Sequence, residues 1–437
     1  MTDRKLFVPA LAGVLGFSAL AAAAEPTAAE LREQIDALQA KVSKIEARQA
    51  SASEQQATVA SVLNDAERRS QLMQTGAITS GYDKGFFVRS ADGNFSVKPG
   101  LQFQFRSVAN FAEDAKVDGD DSLETGFEVR RARFRFDGNA ISKDLTYSFV
   151  WDSSRSSGSV SLLDAYVQYK FADEMAVKVG QFKESWTHEK DVSSFRQTAV
   201  ERSIVDALLG GATTDRVQGI ALVYGGEGNP FRGELALHDG ANSKNTTFED
   251  TTSNYGVGAR VEYKVYGDWG AYKDFTAKGS KDNLLVIGGG FDYTESGDSN
   301  LVRATVDAQW ENTTGLGIYA GVIGNYSEVD EEGSDGSSDN YGFVGQVSYA
   351  LDPSWEIFGR YGLVMLDDDI TDEDTINEIT IGANYYLGTD GSAMHNAKIQ
   401  LDLVWLPDGS PDGLNGLGYV ASDEQEFVFR GQFQLAL

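Results

Sequence analysis

The chain has 437 residues, a formal net charge of −29 at neutral pH, 47 glycines, 7 prolines and no cysteine. This length suits one large domain or two ordinary ones, and the lack of cysteine excludes disulfide bonds and thiolate metal sites. The abundance of glycine, with 18 tyrosines and 24 phenylalanines, favours strands and turns over helices. The three histidines, His188, His238 and His395, show no ligand spacing, and no metal, cofactor or nucleic acid is expected.

Residues 1–24 have the pattern of a secretory signal peptide. Arg4 and Lys5 form a basic start, the apolar stretch LFVPALAGVLGFSAL follows at 6–20, and AAAAEP supplies small residues for cleavage after Ala24. A transmembrane helix is the alternative interpretation, but the stretch is too short and ends in alanines. Because no later run of 18 apolar residues exists, helical membrane spans are not expected in the mature chain.

The segment 25–80 differs from everything that follows it. Between 27 and 75 it has no glycine and no aromatic residue, and a heptad frame places Leu31 and Leu38 at one core position and Ile35 and Val42 at the other. This pattern predicts a coiled coil, and these core residues favour two strands. A flexible helical linker is the alternative. We expect the segment to lie in the periplasm and to promote oligomerisation.

From residue 81 to 437 the hydrophobic pattern has a period of two. In SLLDAYVQYKF (161–171) one face is apolar and the other carries Asp164, Gln168 and Lys170, which is typical of a strand with two different surroundings. Sixteen such segments lie between 98 and 437, and several apolar rows begin or end in Trp or Tyr. The connections alternate between long ones, such as 184–214 and 328–339, and short ones, although the stretch 267–282 breaks this rule.

Two all-β architectures compete for this pattern. A soluble sandwich also alternates, but it does not need an even strand count, alternating loop lengths or aromatic residues at the ends of apolar rows. A transmembrane antiparallel barrel has all three features and leaves no open sheet edge in the bilayer. We therefore predict an all-β outer-membrane barrel of about 16 strands, in contact with lipid and lipopolysaccharide.

The segment EVRRARFRFDG (128–138) carries the clearest candidate site. Arg131, Arg133 and Arg135 alternate with apolar residues, so a barrel that turns the apolar side to lipid turns these arginines to the lumen. Arginine rings favour anions in a pore. A structural role, in which Asp152 and Asp164 neutralise the arginines, is the alternative. Further bases predicted to face the lumen are Arg106, Arg232, Arg260, Arg303, Arg360 and Arg430.

The motifs RRARFRFDG, FVWDSS, DAYVQY, VGQFKESWTHEKDVSS and VERS, in this order, resemble the phosphate-selective porin O/P family. The similarity is densest over 125–205 and extends over 82–437. It implies a sixteen-stranded, typically trimeric outer-membrane barrel that passes phosphate, pyrophosphate or other small anions. It also implies that Arg130, Arg131 and Arg133 form the family's basic strand, and that 184–214 is an outer loop folded inward. The alternation of faces puts Arg130 outside or near the rim.

The chain departs from the family pattern at the predicted constriction. After GQFK the family usually has prolines and a phenylalanine, where this chain has Glu184, Ser185 and Trp186. The family's phosphate-selective members use a lysine at the constriction. The candidate bases of the loop and of the strand end before it are Lys183, Lys190, Arg196 and Arg202.

The acidic excess concentrates in the predicted loops 113–121, 328–339 and 367–374. None of them matches the calcium-loop pattern, so two interpretations stay open: weak divalent-cation binding near lipopolysaccharide, and a solvated acidic coat. Such a coat would repel anions and weakens the phosphate hypothesis.

Taken together, these features predict a non-enzymatic porin for passive diffusion of small hydrophilic solutes, with small anions such as phosphate preferred. A general or cation-preferring porin is one alternative. An envelope-tethering protein, which contacts the cell wall through 27–75, is the other.

Overall fold

The computed structural model describes residues 36, 39, 41–44, 78–83, 85–116, 122–211, 215–241, 243–249, 253–331, 334–367 and 375–437. The chain divides into two compact units, Met1–Thr75 and Gly76–Leu437, and the second contains every described strand. Of the predicted coiled coil, only a few residues between 36 and 44 are described, and these are helical. The signal peptide and the remaining heptads lie outside the described residues.

The second unit is built from antiparallel strands and a few short helices. The strands are β1 (Thr79–Tyr82), β2 (Phe86–Arg89), β3 (Ser96–Ala112), β4 (Ser122–Asn139), β5 (Leu145–Ser153), β6 (Val160–Ala172), β7 (Met175–Lys183), β8 (Arg216–Tyr224), β9 (Phe231–His238), β10 (Tyr255–Tyr266), β11 (Leu284–Ser296), β12 (Ser299–Glu311), β13 (Leu316–Glu331), β14 (Ser334–Ala350), β15 (Trp355–Met365), β16 (Thr375–Tyr386), β17 (Ala397–Leu406) and β18 (Glu426–Ala436).

Two α-helices, α1 (His188–Asp191) and α2 (Ile204–Leu209), lie between β7 and β8. Short 3-10 helices are Ala271–Lys273, Thr389–Gly391, Met394–Asn396 and Leu414–Gly416. In the described part of the chain, no helix is both long enough and apolar enough to cross a membrane.

The described strands β3 to β18 close into a barrel. Each pairs with its neighbours in the sequence, and β18 pairs with β3 from Glu426 opposite Ala112 to Ala436 opposite Gln102. The predicted count of sixteen barrel strands is confirmed. The hairpin β1–β2, which the sequence pattern did not reveal, joins this wall where Val88 and Arg89 pair with β3. Closure gives every barrel strand two partners, which a bilayer requires.

The two faces of the barrel wall differ as the period of two predicts. Along β17, Ile399, Leu401 and Trp405 are exposed on the outside. The alternating residues Gln400 and Asp402 are buried inside. Exposed apolar side chains in a continuous outer band are stable only against lipid, because water would penalise roughly 25 cal/mol per Å² of such surface. The wall is therefore built to face a membrane outside and polar groups inside.

The connections distinguish the two ends of the barrel. We call the end with 113–121, 184–215, 239–254 and 407–425 the loop end, and the opposite end, where β3 begins and β18 finishes, the turn end. The prediction of a long loop at 328–339 was wrong, because β13 and β14 continue as a paired hairpin to Glu331 opposite Ser334.

The longest connection at the loop end, 184–215, folds into the barrel and builds an apolar core there. Trp186 and Ile204 pack with Val364, Val404 and other buried residues on the inner face of β13–β18. Helix α2 begins where the Ser203 side chain accepts a hydrogen bond from the Asp206 amide, a standard N-cap. Part of the lumen is thus filled by packed side chains.

Candidate functional site: the lumen and its inward loop

The basic strand β4 contains a β-bulge at Arg130. Gln104 pairs with Arg131 whereas the next residue, Phe105, pairs with Val129, so Arg130 is an extra residue without a partner on β3. A bulge interrupts the alternation of faces. The alternative that Arg130 lies outside was wrong, because its guanidinium points inward and Nε lies 2.5 Å from Oε1 of Glu201.

Glu201 of loop 184–215 is held by three arginines. Arg131 Nη2 donates to Oε2 at 2.8 Å, and Arg106 Nη1 donates to Oε1 at 3.0 Å, in addition to the contact from Arg130. Glu201 and Arg106 are almost completely buried. Burial alone would raise the pKa of the Glu201 carboxyl, but the three guanidinium groups together hold this pKa well below its usual value. Arg106 also contacts Glu128.

The other two arginines of the row also have carboxylate partners. Arg133 Nε donates to Asp152 at 2.8 Å, as the structural alternative requires, and its Nη1 reaches Ser194 of the loop at 3.2 Å. The half-exposed Arg135 donates to Asp137 at 2.6 Å. Asp164, the second carboxylate considered in the sequence analysis, pairs instead with Arg216.

The remaining arginines predicted to face the lumen lie in similar networks. Arg260 binds Asp307 through two nitrogens at 2.8 and 2.9 Å and donates to Glu262, and Arg303 binds both Asp292 and Glu184. Arg360 pairs with Glu378, Arg430 pairs with Asp402, and Arg232 lies over the ring of Trp269. A charge-paired arginine attracts a passing anion less strongly than a free one.

Three of the four candidate constriction bases stabilise the loop itself. Lys183 Nζ donates to the Lys190 carbonyl at 2.8 Å, Lys190 Nζ donates to the Gly210 carbonyl at 3.0 Å, and Arg202 donates to the carbonyl groups of Glu189 and Val192. Arg196 is different, because it is exposed and forms no ion pair with any residue that the structure describes.

Inward polar side chains of the barrel wall form hydrogen bonds with the backbone of loop 184–215. Gln434 donates to the Phe195 carbonyl at 2.8 Å, Lys398 donates to Gln197 at 2.7 Å, and Gln400 donates to Thr198 at 3.0 Å. Further wall groups that bond the loop backbone are Gln104, Arg360, Glu378, Asn384 and Asp402. These contacts place the loop against β15–β18 and β3.

A cavity of about 300 Å³ lies beside the loop. Its lining includes Arg196 and Ser193 from the loop and Tyr272 and Lys273 from the turn-end connection 267–283. Lys273, like Arg196, is exposed and has no carboxylate partner within the described ranges. Lys273 was not among the bases predicted to line the pore. The only signal pointing to it was the unusual length of this connection.

One group of described residues has the composition of a metal site. Ligand atoms of Glu184, His238 and Asp292 all lie within 4.8 Å of one another. However, His238 Nδ1 accepts the Gly240 amide and Nε2 lies 3.1 Å from Asp292, so the imidazole has no free lone pair. Since Arg303 already supplies the positive charge between the two carboxylates, we interpret the group as an ion-pair network.

A closed sixteen-stranded barrel, with an apolar outer band and a polar interior narrowed by an inward loop, defines a channel of the outer-membrane porin class. A family model described as phosphate-selective porin O and P matches residues 101–405. The chain belongs to this family, as the sequence motifs indicated.

Individual relatives are distant. An uncharacterized protein from Aquifex aeolicus (strain VF5) is 25% identical over 248 residues, which is 51% of this chain, and the chain spans 58% of that protein's length. The anion-selective porin from Comamonas acidovorans superposes with a TM-score of 0.54 at 15% identity, covering 78% of this chain and 100% of that one. OprB of Pseudomonas putida gives 0.52 at 10% identity, covering 78% and 94%. At such identities the likeness shows the fold.

Proposed function

We propose that this outer-membrane channel passes small hydrophilic solutes by passive diffusion and prefers small anions, phosphate and pyrophosphate among them. The observation that carries the proposal is the position of Arg196. This residue of loop 184–215 is exposed at the cavity in the lumen and has no carboxylate partner among the described residues. A guanidinium does not titrate in the working pH range and donates paired hydrogen bonds to phosphate oxygens. Membership of the family and the fold likeness to an anion-selective porin support this preference.

The path for solutes lies, in this proposal, between loop 184–215 and strands β5–β9. The loop backbone is bonded to the opposite wall, β15–β18, and the apolar core fills the space there. On the side of this path, the inner face of β6–β9 carries paired charges, such as Lys178 with Glu234 and Arg216 with Asp164. An ion could move between such partly satisfied groups without being trapped, as conduction requires.

A general or cation-preferring porin is the second candidate function. It is favoured by the pairing of Arg131, Arg133 and Arg260 with carboxylates and by the net charge of −29, because both reduce the positive potential that an anion meets.

Single-channel recording of the purified protein in a planar bilayer across a potassium chloride gradient separates these functions. The sign of the reversal potential reports whether chloride or potassium passes more easily. Anion preference in the wild type, reduced in R196E, supports the proposal. A reversal potential of zero or of the opposite sign would assign a general or cation-preferring porin, and the absence of any conductance would favour the tethering alternative.

We also propose that the barrel assembles as a homotrimer, which the resemblance to the porin O/P family supports. The predicted coiled coil in 25–80 would lie in the periplasm and contribute to this assembly.

A further inference from the structure

The turn-end connection 267–283 is long and folds into the barrel. Trp269, Tyr272 and Phe275 are all buried. Near one end of the connection, Trp269 Nε1 donates to the Asn229 carbonyl in the turn between β8 and β9 at 2.8 Å. Near the other end, Lys278 Nζ lies 3.3 Å from the Gly391 carbonyl between β16 and β17. The connection therefore reaches across the turn end of the lumen.

This connection meets loop 184–215 in the lumen. The ring of Tyr272 stacks on His188 of helix α1 with centroids 3.8 Å apart and an angle of 6° between the planes, and Phe275 meets the same imidazole edge-on at 5.2 Å. Burial lowers the pKa of His188 to about 4, so a neutral imidazole lies in this aromatic contact. A segment from the turn end and a loop from the loop end thus form one packed unit.

The wall holds the connection in a defined position. Gln309 of β12 donates to the Asp274 carbonyl at 2.6 Å, and Ser348 of β14 donates to the Phe275 carbonyl at 3.0 Å. Gly317 of β13 lies beneath this stretch, and a Cβ atom there would approach the Phe275 oxygen to 3.3 Å. Because backbone groups are bonded on the inner wall, the connection is a fixed lumen element.

The cavity between the two segments is lined by two carboxylates and two cations, so its formal charges balance, but the cations are not paired with the carboxylates. Two carboxylates line it, Asp191 and Glu262, and both approach Arg260, at 3.8 and 2.8 Å. The two cations of the lining, Arg196 and Lys273, are exposed and have no carboxylate partner among the described residues. The two carboxylates are held towards Arg260 on the wall, whereas the two exposed cations are free to meet a passing anion.

We propose that connection 267–283 is the second half of the pore constriction and that Lys273, opposite the inward loop, is a specificity-determining residue for anions together with Arg196. The inference rests on the proposed function and adds to it a turn-end element and a second cation. Lysine and arginine from different segments would bind an anion weakly and from two sides, so that it can be released, as permeation demands.

The first experiment compares K273E with K281E. Both variants reverse one exposed lysine on the same connection, but only Lys273 lines the cavity. Because the charge changes by two units within a few ångströms of the path, we expect K273E to lower the chloride-to-potassium permeability ratio by about two- to fivefold, R196E to do the same, and K281E to change it little. An effect of K273E no larger than that of K281E would overturn the inference while leaving an anion-preferring wild type, and hence the proposed function, intact.

The second experiment uses the absence of native cysteine. In K273C, a thiol reagent that adds a positive charge should restore anion preference, and one that adds a negative charge should reduce it further, whereas K281C should respond to neither. Equal responses of K273C and K281C would place Lys273 outside the permeation path. A wild-type channel without anion preference would instead refute the proposed function.

Discussion

Arg131 on β4 and Glu201 on the inward loop are 70 residues apart in sequence and are joined by a 2.8 Å hydrogen bond between Nη2 and Oε2. The basic strand, which the sequence analysis interpreted as an anion-binding row, thus holds the chain's own carboxylate. In this arrangement loop 184–215 is held to the barrel wall by the ion pairs of Glu201 with Arg106, Arg130 and Arg131. We call these ion pairs the latch.

The latch predicts the behaviour of E201Q. An amide cannot balance three guanidinium groups, and breaking a buried ion pair typically costs about 3–5 kcal/mol. We expect the loop to leave its docked position more often, so that single-channel current becomes larger and noisier and anion preference increases. E227Q, which changes an exposed residue in the turn between β8 and β9, is the matched control. Identical currents in both variants would show that the latch does not hold the loop.

The same latch predicts a response to acid. Since the pKa of Glu201 is held well below its usual 4.5, its contribution to docking is present above pH 4.5 and is lost only as the pH falls through the lowered value. Measured in the E189Q background, which removes the response of Glu189, conductance should therefore stay constant from pH 6 to 5 and rise only below about pH 4.5. In R130Q the onset should move to higher pH, because Arg130 is one of the three guanidinium groups that lower the Glu201 pKa. An unchanged onset in R130Q would contradict this assignment.

Glu189, in helix α1 of the loop, predicts an opposite response near neutral pH. Burial, with a smaller contribution from Asp206, raises its pKa to about 7. For a carboxyl group with a raised pKa, the stability of the docked state is complete at low pH and is lost as the pH rises through the raised value. Open-channel noise should therefore increase as the pH rises from about 4.5 to about 7, and level off above that, in the wild type and in E227Q, but not in E189Q. A pH response that survives in E189Q would exclude Glu189 as its source.

The outer face of β4 predicts which substitutions prevent membrane insertion. Phe134 is half exposed on the lipid side, between Arg133 and Arg135. F134R should cost about 2–4 kcal/mol near the bilayer midplane and reduce the amount of barrel in outer membranes, measured by heat-modifiable migration on gels. Q168R places the same side chain on the inner face, where Gln168 pairs with Lys178, and should insert normally. Equal loss of both variants would mean that arginine at either position blocks folding for another reason.

The predicted coiled coil can be tested separately from the barrel. In the double variant L38D and I45D, charge enters the hydrophobic seam, so chemical cross-linking should capture fewer oligomers while the barrel remains folded. D36N, a change at a neighbouring polar position, is the control. Unaltered cross-linking would show that the barrel wall alone assembles the protein.

The sequence by itself determined the barrel. Side chains on a strand alternate between two faces whatever the partner strand is, so the period of two reports lipid and lumen surfaces directly. For this reason the local pattern predicts the sixteen strands, the apolar face at Phe134 and the inward direction of Arg131, Arg133 and Arg135. The structure shows all of these features.

Only the tertiary structure decided what those inward charges do. A single extra residue turned Arg130 inward. The apolar row changes there from the odd positions Phe127 and Val129 to the even position Phe134, but the sequence does not show which residue in between is the extra one. The partner of the basic strand, Glu201, comes from a loop 70 residues away, and Lys273 reaches the cavity because connection 267–283 folds back into the lumen. Electrostatic pairing depends on distances of a few ångströms between segments. Such distances are set by how the whole chain folds, and a local sequence pattern does not report them.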